Sequence, residues 1–141
     1  MSKKFLIIDA HEDIAFHLNY FKRDFVNPDM PCMITLPGLK EGNVRMVFNT
    51  VFIHPKHKPD KTVQSGLDQL SKYDEIYKTF PDEVYQITKV DDLAKFGQDP
   101  RIGFITLIEG ADPLENVSNL TTLYNSGVDI NIHQGHIENH I

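Results

Sequence analysis

Three short, continuous runs of apolar residues most constrain what this chain can fold into. Residues 4–9 read KFLIID, residues 44–53 read VRMVFNTVFI and residues 102–108 read IGFITLI. Runs of this length are typical of strands that are buried on both faces, as in a parallel sheet. We therefore predict three core strands that run parallel in one curved sheet, each covered on both sides.

Segments with helical periodicity separate these strands. Residues 13–25 and 62–80 carry apolar side chains at helical spacing, and residues 84–87 predict a short strand. Thr88 and Asp91 stand in capping-box spacing before a short helix at 91–96, with Gly97 as its terminator. Asp112 and Pro113 predict the start of another helix. Its apolar face would comprise Leu114, Val117, Leu120, Leu123 and Tyr124.

The remaining segments complete an α/β organisation. Pro28, Pro31, Pro37 and Gly38 predict a loop without regular structure. Residues 128–132 predict one more strand. Alternation of strands and helices indicates an α/β fold with a parallel sheet. We assign residues 1–128 to one unit and residues 129–141 to an irregular, His-rich tail.

The composition limits the classes of molecule that this chain is expected to bind. The 141 residues carry a formal net charge of −6, and the basic residues are scattered. Binding to nucleic acid or to an anionic membrane is therefore not expected. The sequence shows neither an apolar run that could span a membrane nor the pattern of a signal peptide. Cys32 is the single cysteine, which favours a reducing, cytoplasmic location.

A polar motif, Asp9-Ala10-His11-Glu12-Asp13, follows the first predicted strand. In parallel α/β folds, residues just beyond the carboxyl ends of strands line the active site. The imidazole of His11 and the carboxylate of Asp13 can point at one cation, and zinc accepts such ligands. Taken alone, this short motif is better explained as a polar strand end that caps a helix.

Glu109 gives a second signal, because it ends an otherwise apolar strand. A carboxylate there is costly unless it is solvated, paired or bound to a metal. Gly110 allows a sharp turn directly after it. Two strand ends both carry residue types that bind metals. This coincidence favours a shared metal site over two unrelated polar residues that end their strands.

The other histidines carry weaker signals. His133, His136 and His140 have a spacing that can bind zinc, but no strand or helix pattern supports it. We interpret His54 and His57 as solvated loop residues, His17 as a structural histidine and Cys32 as incidental. The chain contains neither a glycine-rich phosphate loop nor a G-x-S-x-G nucleophile motif.

Three segments together resemble the membrane (renal) dipeptidase family of zinc peptidases. Residues 8–13 (IDAHED) resemble its opening Asp-Gly-His-Asn-Asp motif, and residues 36–44 (LPGLKEGNV) are similar to its Leu-Pro-Arg-Leu-Arg-Glu-Gly-Gly-Val segment. Residues 108–110 (IEG), followed by 120–128 (LTTLYNSGV), are similar to its Glu-Gly-Gly segment and the helix end after it. Ala10 and Glu12 replace a glycine and an asparagine of the family pattern.

The resemblance implies a (β/α)₈ TIM barrel that hydrolyses dipeptides with two zinc ions at its C-terminal face. The family's first His and Asp bind one zinc and its mid-chain Glu bridges both, roles that fall on His11, Asp13 and Glu109. The later histidines and the late aspartate of the family have no counterpart here. We therefore expect the N-terminal part of a barrel, either from a truncated or frameshifted gene or as one part of a longer protein, with at most one zinc and little activity alone. Catalytic acid–base residues stay unassigned.

Two alternatives come from other classes. Residues 4–13 also resemble the first strand and acidic pocket of a response-regulator receiver domain, although the expected phosphoacceptor aspartate and lysine are missing. The second alternative is a remnant that binds metal without catalysing a reaction.

A partial barrel would also leave apolar surface uncovered and invite self-association. The candidates for this exposed apolar surface are Phe48, Val51, Phe104 and Leu107.

Overall fold

The computed structural model describes residues 5–27, 34–57, 61–114, 117–126 and 128. Four strands form one sheet: β1 (Ile7–Glu12), β2 (Val44–Phe52), β3 (Val84–Gln86) and β4 (Ile102–Glu109). Their order is β1-β2-β4-β3, and every neighbouring pair is parallel. The predicted parallel α/β sheet is confirmed.

Helices lie between the strands. They are α1 (Ile14–Tyr20), α2 (Leu36–Glu41), α3 (Thr62–Thr79), α4 (Val90–Leu93) and α5 (Ser118–Asn125). Two short 3₁₀ helices cover Pro55–His57 and Asp112–Leu114. No helix within the described ranges is long and apolar enough to cross a membrane.

One face of the sheet packs against the helices. Val47 and Val51 of β2 and Phe104 and Ile108 of β4 alternate along their strands and join one buried cluster with residues of α3 such as Tyr73. This face supplies the main hydrophobic core, because the parallel strands present their branched side chains to an amphipathic helix.

The opposite face carries a smaller cluster. Met46, Tyr85 and Ile87 are buried there, and Phe48 and Phe96 pack against them. Phe96 follows α4, so the segment between β3 and β4 folds under this second face. Val51 and Phe104 are fully buried, Leu107 is nearly so, and Phe48 is half-buried. The prediction that these four residues form exposed apolar surface is therefore wrong.

β1 departs from the sequence prediction in two ways. It begins at Ile7 and extends through Glu12, so the motif expected after the strand forms its last residues. It is also not buried on both faces: the successive residues Ile7 and Ile8 are 45% and 50% exposed. The reason is its edge position, since β2 is its single strand partner in the described part of the chain.

The first and second helical regions also differ from expectation. Helix α1 ends at Tyr20 rather than residue 25, because Lys22 adopts a left-handed backbone with φ 53°. Residues 36–41, expected to be loop, form α2: the Thr35 hydroxyl accepts a hydrogen bond from the Gly38 N–H, and Pro37 lies in the first turn. A proline is tolerated there because the first-turn N–H groups have no intrahelical acceptor.

Near β4 the capping predictions are partly wrong. Asp92, not Asp91, accepts a hydrogen bond from the Thr88 N–H (3.3 Å), although Gly97 has the predicted left-handed φ of +76°. Asp112 begins a 3₁₀ turn instead of a helix, and α5 starts only at Ser118. Its predicted apolar face also fails in part: Leu123 is buried, but Val117 and Tyr124 are exposed. Val128 is buried, and residues 129–132 lie outside the described residues.

A buried glutamine joins α3 to the end of β2. The Gln69 side chain accepts a hydrogen bond from the Phe52 N–H (3.2 Å) and donates to the Phe52 carbonyl (2.7 Å) and the Ser65 carbonyl (3.2 Å). Gln69 therefore satisfies both backbone groups of the residue at which β2 ends.

We expect Gln69→Leu to lower the free energy of unfolding by about 1–3 kcal/mol, because it leaves buried backbone groups without partners. Gln64→Leu, on the exposed side of the same helix, is the matched control and should change it by less than about 0.5 kcal/mol. Urea titration monitored by circular dichroism measures both. Equal losses in the two variants would contradict this role of Gln69.

Candidate metal centre

The strand order brings the two predicted motifs to one edge of the sheet. β1 and β4 lie on either side of β2 and run in the same direction, so their carboxyl ends meet at the same edge. His11 lies near the end of β1, Asp13 directly follows it, and Glu109 ends β4. The prediction that Asp13 and Glu109 share an edge is confirmed.

The three side chains converge. The Nε2 atom of His11 lies 3.7 Å from the Oδ1 atom of Asp13 and 3.5 Å from the Oε2 atom of Glu109. One potential ligand atom from each of the three residues lies within 4.8 Å of the others. The side chain of His11 is about half exposed, and those of Asp13 and Glu109 are about one-third exposed.

Local backbone structure holds these residues in place. The ladder between β1 and β2 has an irregularity between Asp9 and Glu12, and the His11 N–H donates to the Asp9 carboxylate (3.2 Å). Asp13 is the N-cap residue of α1, but its side chain makes no capping hydrogen bond. The carboxylate of Asp13 is therefore not used by the helix that it precedes.

Glu109 owes its position to the residue that follows it. Gly110 has φ +76°, a backbone conformation that side chains with a Cβ atom rarely adopt. A Cβ atom at this position would also approach an Asp112 carboxylate oxygen at 3.3 Å. The turn at Gly110 thus directs the chain away from the sheet immediately after Glu109.

The residues present fit a divalent metal ion. Zinc binds imidazole nitrogen and carboxylate oxygen at about 2.0–2.2 Å, which keeps ligand atoms within about 4 Å of one another. The two separations that involve His11 already satisfy this limit. In addition, the buried Oδ1 atom of Asp13 has no hydrogen-bond partner among the described residues. Buried polar atoms normally have one, so this oxygen is suited to a ligand bond.

Glu12 is not a member of this group. It is paired in register with Asn49, on the sheet face that packs against the helices. The pKa of Glu12 is raised to about 8, chiefly by burial, then by a hydrogen bond with Asp9 and by the charges of Asp9 and Asp13. Glu12 is therefore mostly protonated at neutral pH and adds little negative charge beside the three-residue group.

An aromatic cluster borders the site, and sequence reasoning missed it. Phe52 is in register with Glu109 on the neighbouring strand, and Phe16 packs edge-on against Phe52 at 5.5 Å between ring centroids. His54 stacks on Phe16 at 6.0 Å and on Tyr20 at 5.1 Å. His54 is thus half-buried among rings and is not a solvated loop residue. The spacing of Phe16 and Tyr20, four residues apart on a helix, was the available signal.

The other histidines are not part of the three-residue group found among the described residues. Arg23 lies 2.5 Å from the Nδ1 atom of His17, and the pKa of His17 is lowered by burial and by this guanidinium. His57 ends a 3₁₀ helix. His133, His136 and His140 lie outside the described residues, as does Cys32.

A comparison with protein families identifies the family of this chain. A family model for the membrane dipeptidases, peptidase family M19, matches residues 1–133. The chain belongs to this family. No curated protein sequence matches it closely enough to report.

Three solved structures have the same fold at low sequence identity. The dipeptidase AC, a family M19 metallopeptidase, is 15% identical with a TM-score of 0.80; the match covers 89% of this chain and 41% of that chain. The probable dipeptidase PvdM from Pseudomonas aeruginosa is 14% identical with a TM-score of 0.78, covering 95% and 36%. A metallopeptidase from Rhodobacter sphaeroides, solved with a phosphinate mimic of the dipeptide L-Ala-D-Ala, is 15% identical with a TM-score of 0.76, covering 89% and 44%.

These matches settle the fold class. The chain has the fold of the N-terminal part of the M19 barrel and spans less than half of each of these three structures. The receiver-domain alternative is wrong. A receiver-type sheet has its first strand in the interior, whereas β1 lies at the edge of this one.

The turn after β4 gives a testable prediction. We expect Gly110→Val to lower the free energy of unfolding by about 1–2 kcal/mol more than Gly110→Asn, because asparagine tolerates a left-handed backbone better than a β-branched residue. Both variants introduce the same Cβ atom near Asp112, so the difference isolates the backbone term. Thermal unfolding of the two variants measures it, and equal losses would show that the turn relaxes without strain.

Proposed function

We propose that this chain is the metal-binding N-terminal portion of a zinc-dependent dipeptidase. His11, Asp13 and Glu109 would hold one zinc ion at the carboxyl edge of the sheet. The observation that carries the proposal is the convergence of these three side chains from two strands onto one point. Family membership supports the use of a metal and the peptidase chemistry.

Each residue has a distinct part in this proposal. His11 supplies a nitrogen ligand, which must be neutral to bind, and Asp13 supplies the buried oxygen that has no hydrogen-bond partner. Glu109 supplies a second carboxylate from the end of β4, which lies on the other side of β2 from β1. A zinc ion bound there would act as a Lewis acid toward the carbonyl oxygen of a peptide bond.

The substrate proposal rests on a relative. The Rhodobacter sphaeroides metallopeptidase was solved with a mimic of the dipeptide L-Ala-D-Ala, and we extend the dipeptide class to the complete barrel of which this chain forms a part. The Phe52 side chain, in register with Glu109, would then line the approach to the scissile bond.

A second metal ion needs ligands beyond this set. His11, Asp13 and Glu109 are the one group of three metal-ligand residues found across the described ranges. Two-metal hydrolysis places its ions about 3.5–4 Å apart and needs protein ligands for both. Glu109 could offer its other oxygen to a second ion, but one carboxylate oxygen does not retain zinc against water.

Removal of a ligand gives the direct test. We expect Asp13→Asn and Glu109→Gln each to weaken zinc binding by more than the roughly 10- to 100-fold loss that follows removal of a residue that only orients a ligand. Isothermal titration with zinc, on the chain stripped of metal, measures the change.

Glu83→Gln is the matched control. Glu83 also carries a partly exposed carboxylate, but it pairs with Lys40 at 2.7 Å, away from the three-residue group. The zinc affinity of the Glu83→Gln variant should equal that of the unchanged chain. Equal weakening in all three variants would show that zinc binds through general negative charge, and the proposed centre would be wrong.

The number of bound zinc ions and the rate of dipeptide hydrolysis distinguish one part of a dipeptidase from a complete enzyme. We expect at most one weakly bound zinc per 141-residue chain and no appreciable dipeptide hydrolysis by this species alone, because the described residues offer a second ion no protein ligand beyond Glu109. Metal analysis after dialysis and an L-Ala-D-Ala assay measure both. Two tightly held zinc ions, or turnover abolished by Glu109→Gln, would show that other residues complete the site.

The same two measurements test the non-catalytic alternative. A remnant that only binds metal would hold one zinc through the same ligands but would stay inactive when the missing part of the barrel is supplied as a second polypeptide. Recovery of hydrolysis on such complementation supports the dipeptidase proposal. Failure of a correctly assembled complex to hydrolyse dipeptides would favour the remnant.

A further inference from the structure

Helix α1 begins without the side-chain cap that its sequence offers. Asp13 occupies the N-cap position, and its carbonyl accepts a hydrogen bond from the His17 N–H (3.0 Å). An aspartate at this position normally also accepts a hydrogen bond with its side chain, from the N–H of the second or third helical residue. The Asp13 side chain accepts none, and its backbone (φ −84°, ψ 44°) lies outside the extended region that capping residues usually adopt.

Tyr73 of α3 supplies the missing acceptor. Its hydroxyl accepts a hydrogen bond from the Ala15 N–H (3.3 Å) and donates one to the Thr50 carbonyl (2.8 Å). Ala15 is the second residue of α1, so its N–H is one of the two that an N-cap side chain would bind.

The single proton of the Tyr73 hydroxyl is already in use. A tyrosine hydroxyl has one proton to donate, and here the acceptor is the Thr50 carbonyl. Burial raises the pKa of Tyr73 well above its usual value, so the hydroxyl keeps this proton. Tyr73 therefore caps the helix without donating a hydrogen bond to Asp13.

The same arrangement leaves one oxygen of Asp13 unused. The Oδ1 atom of Asp13 is buried without a hydrogen-bond partner among the described residues and lies 3.7 Å from the Nε2 atom of His11. We propose that Tyr73 is a positioning residue of the metal centre: its hydroxyl caps α1 in place of Asp13 and so leaves the Asp13 carboxylate free to bind a metal ion. The metal-binding part rests on the proposed function, whereas the capping part is tested without metal.

Helix α2 shows the ordinary arrangement in the same chain. Thr35 precedes it with an extended backbone (φ −130°, ψ 154°), and its hydroxyl accepts a hydrogen bond from the Gly38 N–H (3.2 Å). The two helices thus differ in the source of the cap. In α2 it is the side chain of the N-cap residue itself, and in α1 it is a tyrosine from another helix.

Zinc affinity tests the positioning role. Tyr73→Phe removes only the hydroxyl, so the Ala15 N–H loses its acceptor and the Asp13 side chain is the N-cap group that can replace it. We expect the zinc dissociation constant to rise about 10- to 100-fold, the loss that follows removal of a residue that orients a ligand. Isothermal titration of the metal-free chain measures it, at a temperature where circular dichroism shows the variant to be folded.

Tyr77→Phe is the matched control. Tyr77 lies one turn further along α3 and also buries its hydroxyl oxygen. This variant should leave the zinc dissociation constant unchanged. If Tyr73→Phe binds zinc as tightly as the unchanged chain, or if Tyr77→Phe weakens binding equally, the positioning role is wrong.

Thermal unfolding without metal tests the cap alone and stays decisive if Tyr73→Phe does not fold. In the unchanged background, Asp13→Ala should not lower the unfolding midpoint, because the Asp13 side chain makes no capping hydrogen bond. Thr35→Ala should lower it by about 2–8 °C, the shift expected for a lost cap. A loss of that size from Asp13→Ala would overturn the proposal.

The two changes combined distinguish positioning from simple support of the core. In the Tyr73→Phe background Asp13 becomes the cap, so Asp13→Ala should now lower the midpoint by about 2–8 °C. Additive shifts would show that Tyr73 does not replace Asp13, and the proposal would be wrong. A different result, no zinc binding by the unchanged chain, would overturn the proposed function and the positioning role together.

Discussion

The register between β2 and β4 is the constraint on which the rest of this structure depends. Seven consecutive residue pairs, from Met46 with Gly103 to Phe52 with Glu109, align the two strands in parallel. This alignment turns Val47, Val51, Phe104 and Ile108 toward the helices and places the end of β4 level with the end of β2. A slip of one residue would turn Glu109 to the other face of the sheet and bury a carboxylate in the core.

The candidate metal centre is a product of this alignment and of the irregular ladder at the end of β1. Because β1 and β4 flank β2, their last residues approach one another, and His11 meets Asp13 and Glu109 within ligand distance. The turn at Gly110 then removes the chain from the space above the site. Phe52, held at the strand end by Gln69, joins the site to the aromatic cluster of α1.

The two edges of the sheet differ in how well other residues cover them. Phe96 and the segment after β3 fold under the smaller core, so that the interior of this partial barrel is partly filled. β1 has no comparable cover within the described residues and shows apolar side chains to solvent on both faces.

The sequence alone determined the parallel α/β class, α3 almost to the residue, and the three residues of the candidate centre, because apolar runs and polar strand ends are local signals. Tertiary structure decided what local signals do not contain. Lys22 ended α1 early, and Thr35 allowed Pro37 into a helix. The exposure of β1 and the burial of Val51 and Phe104 depend on which strands are neighbours, and strand order is a property of the assembled sheet. The distances among His11, Asp13 and Glu109 likewise exist only once residues nearly 100 positions apart share one edge.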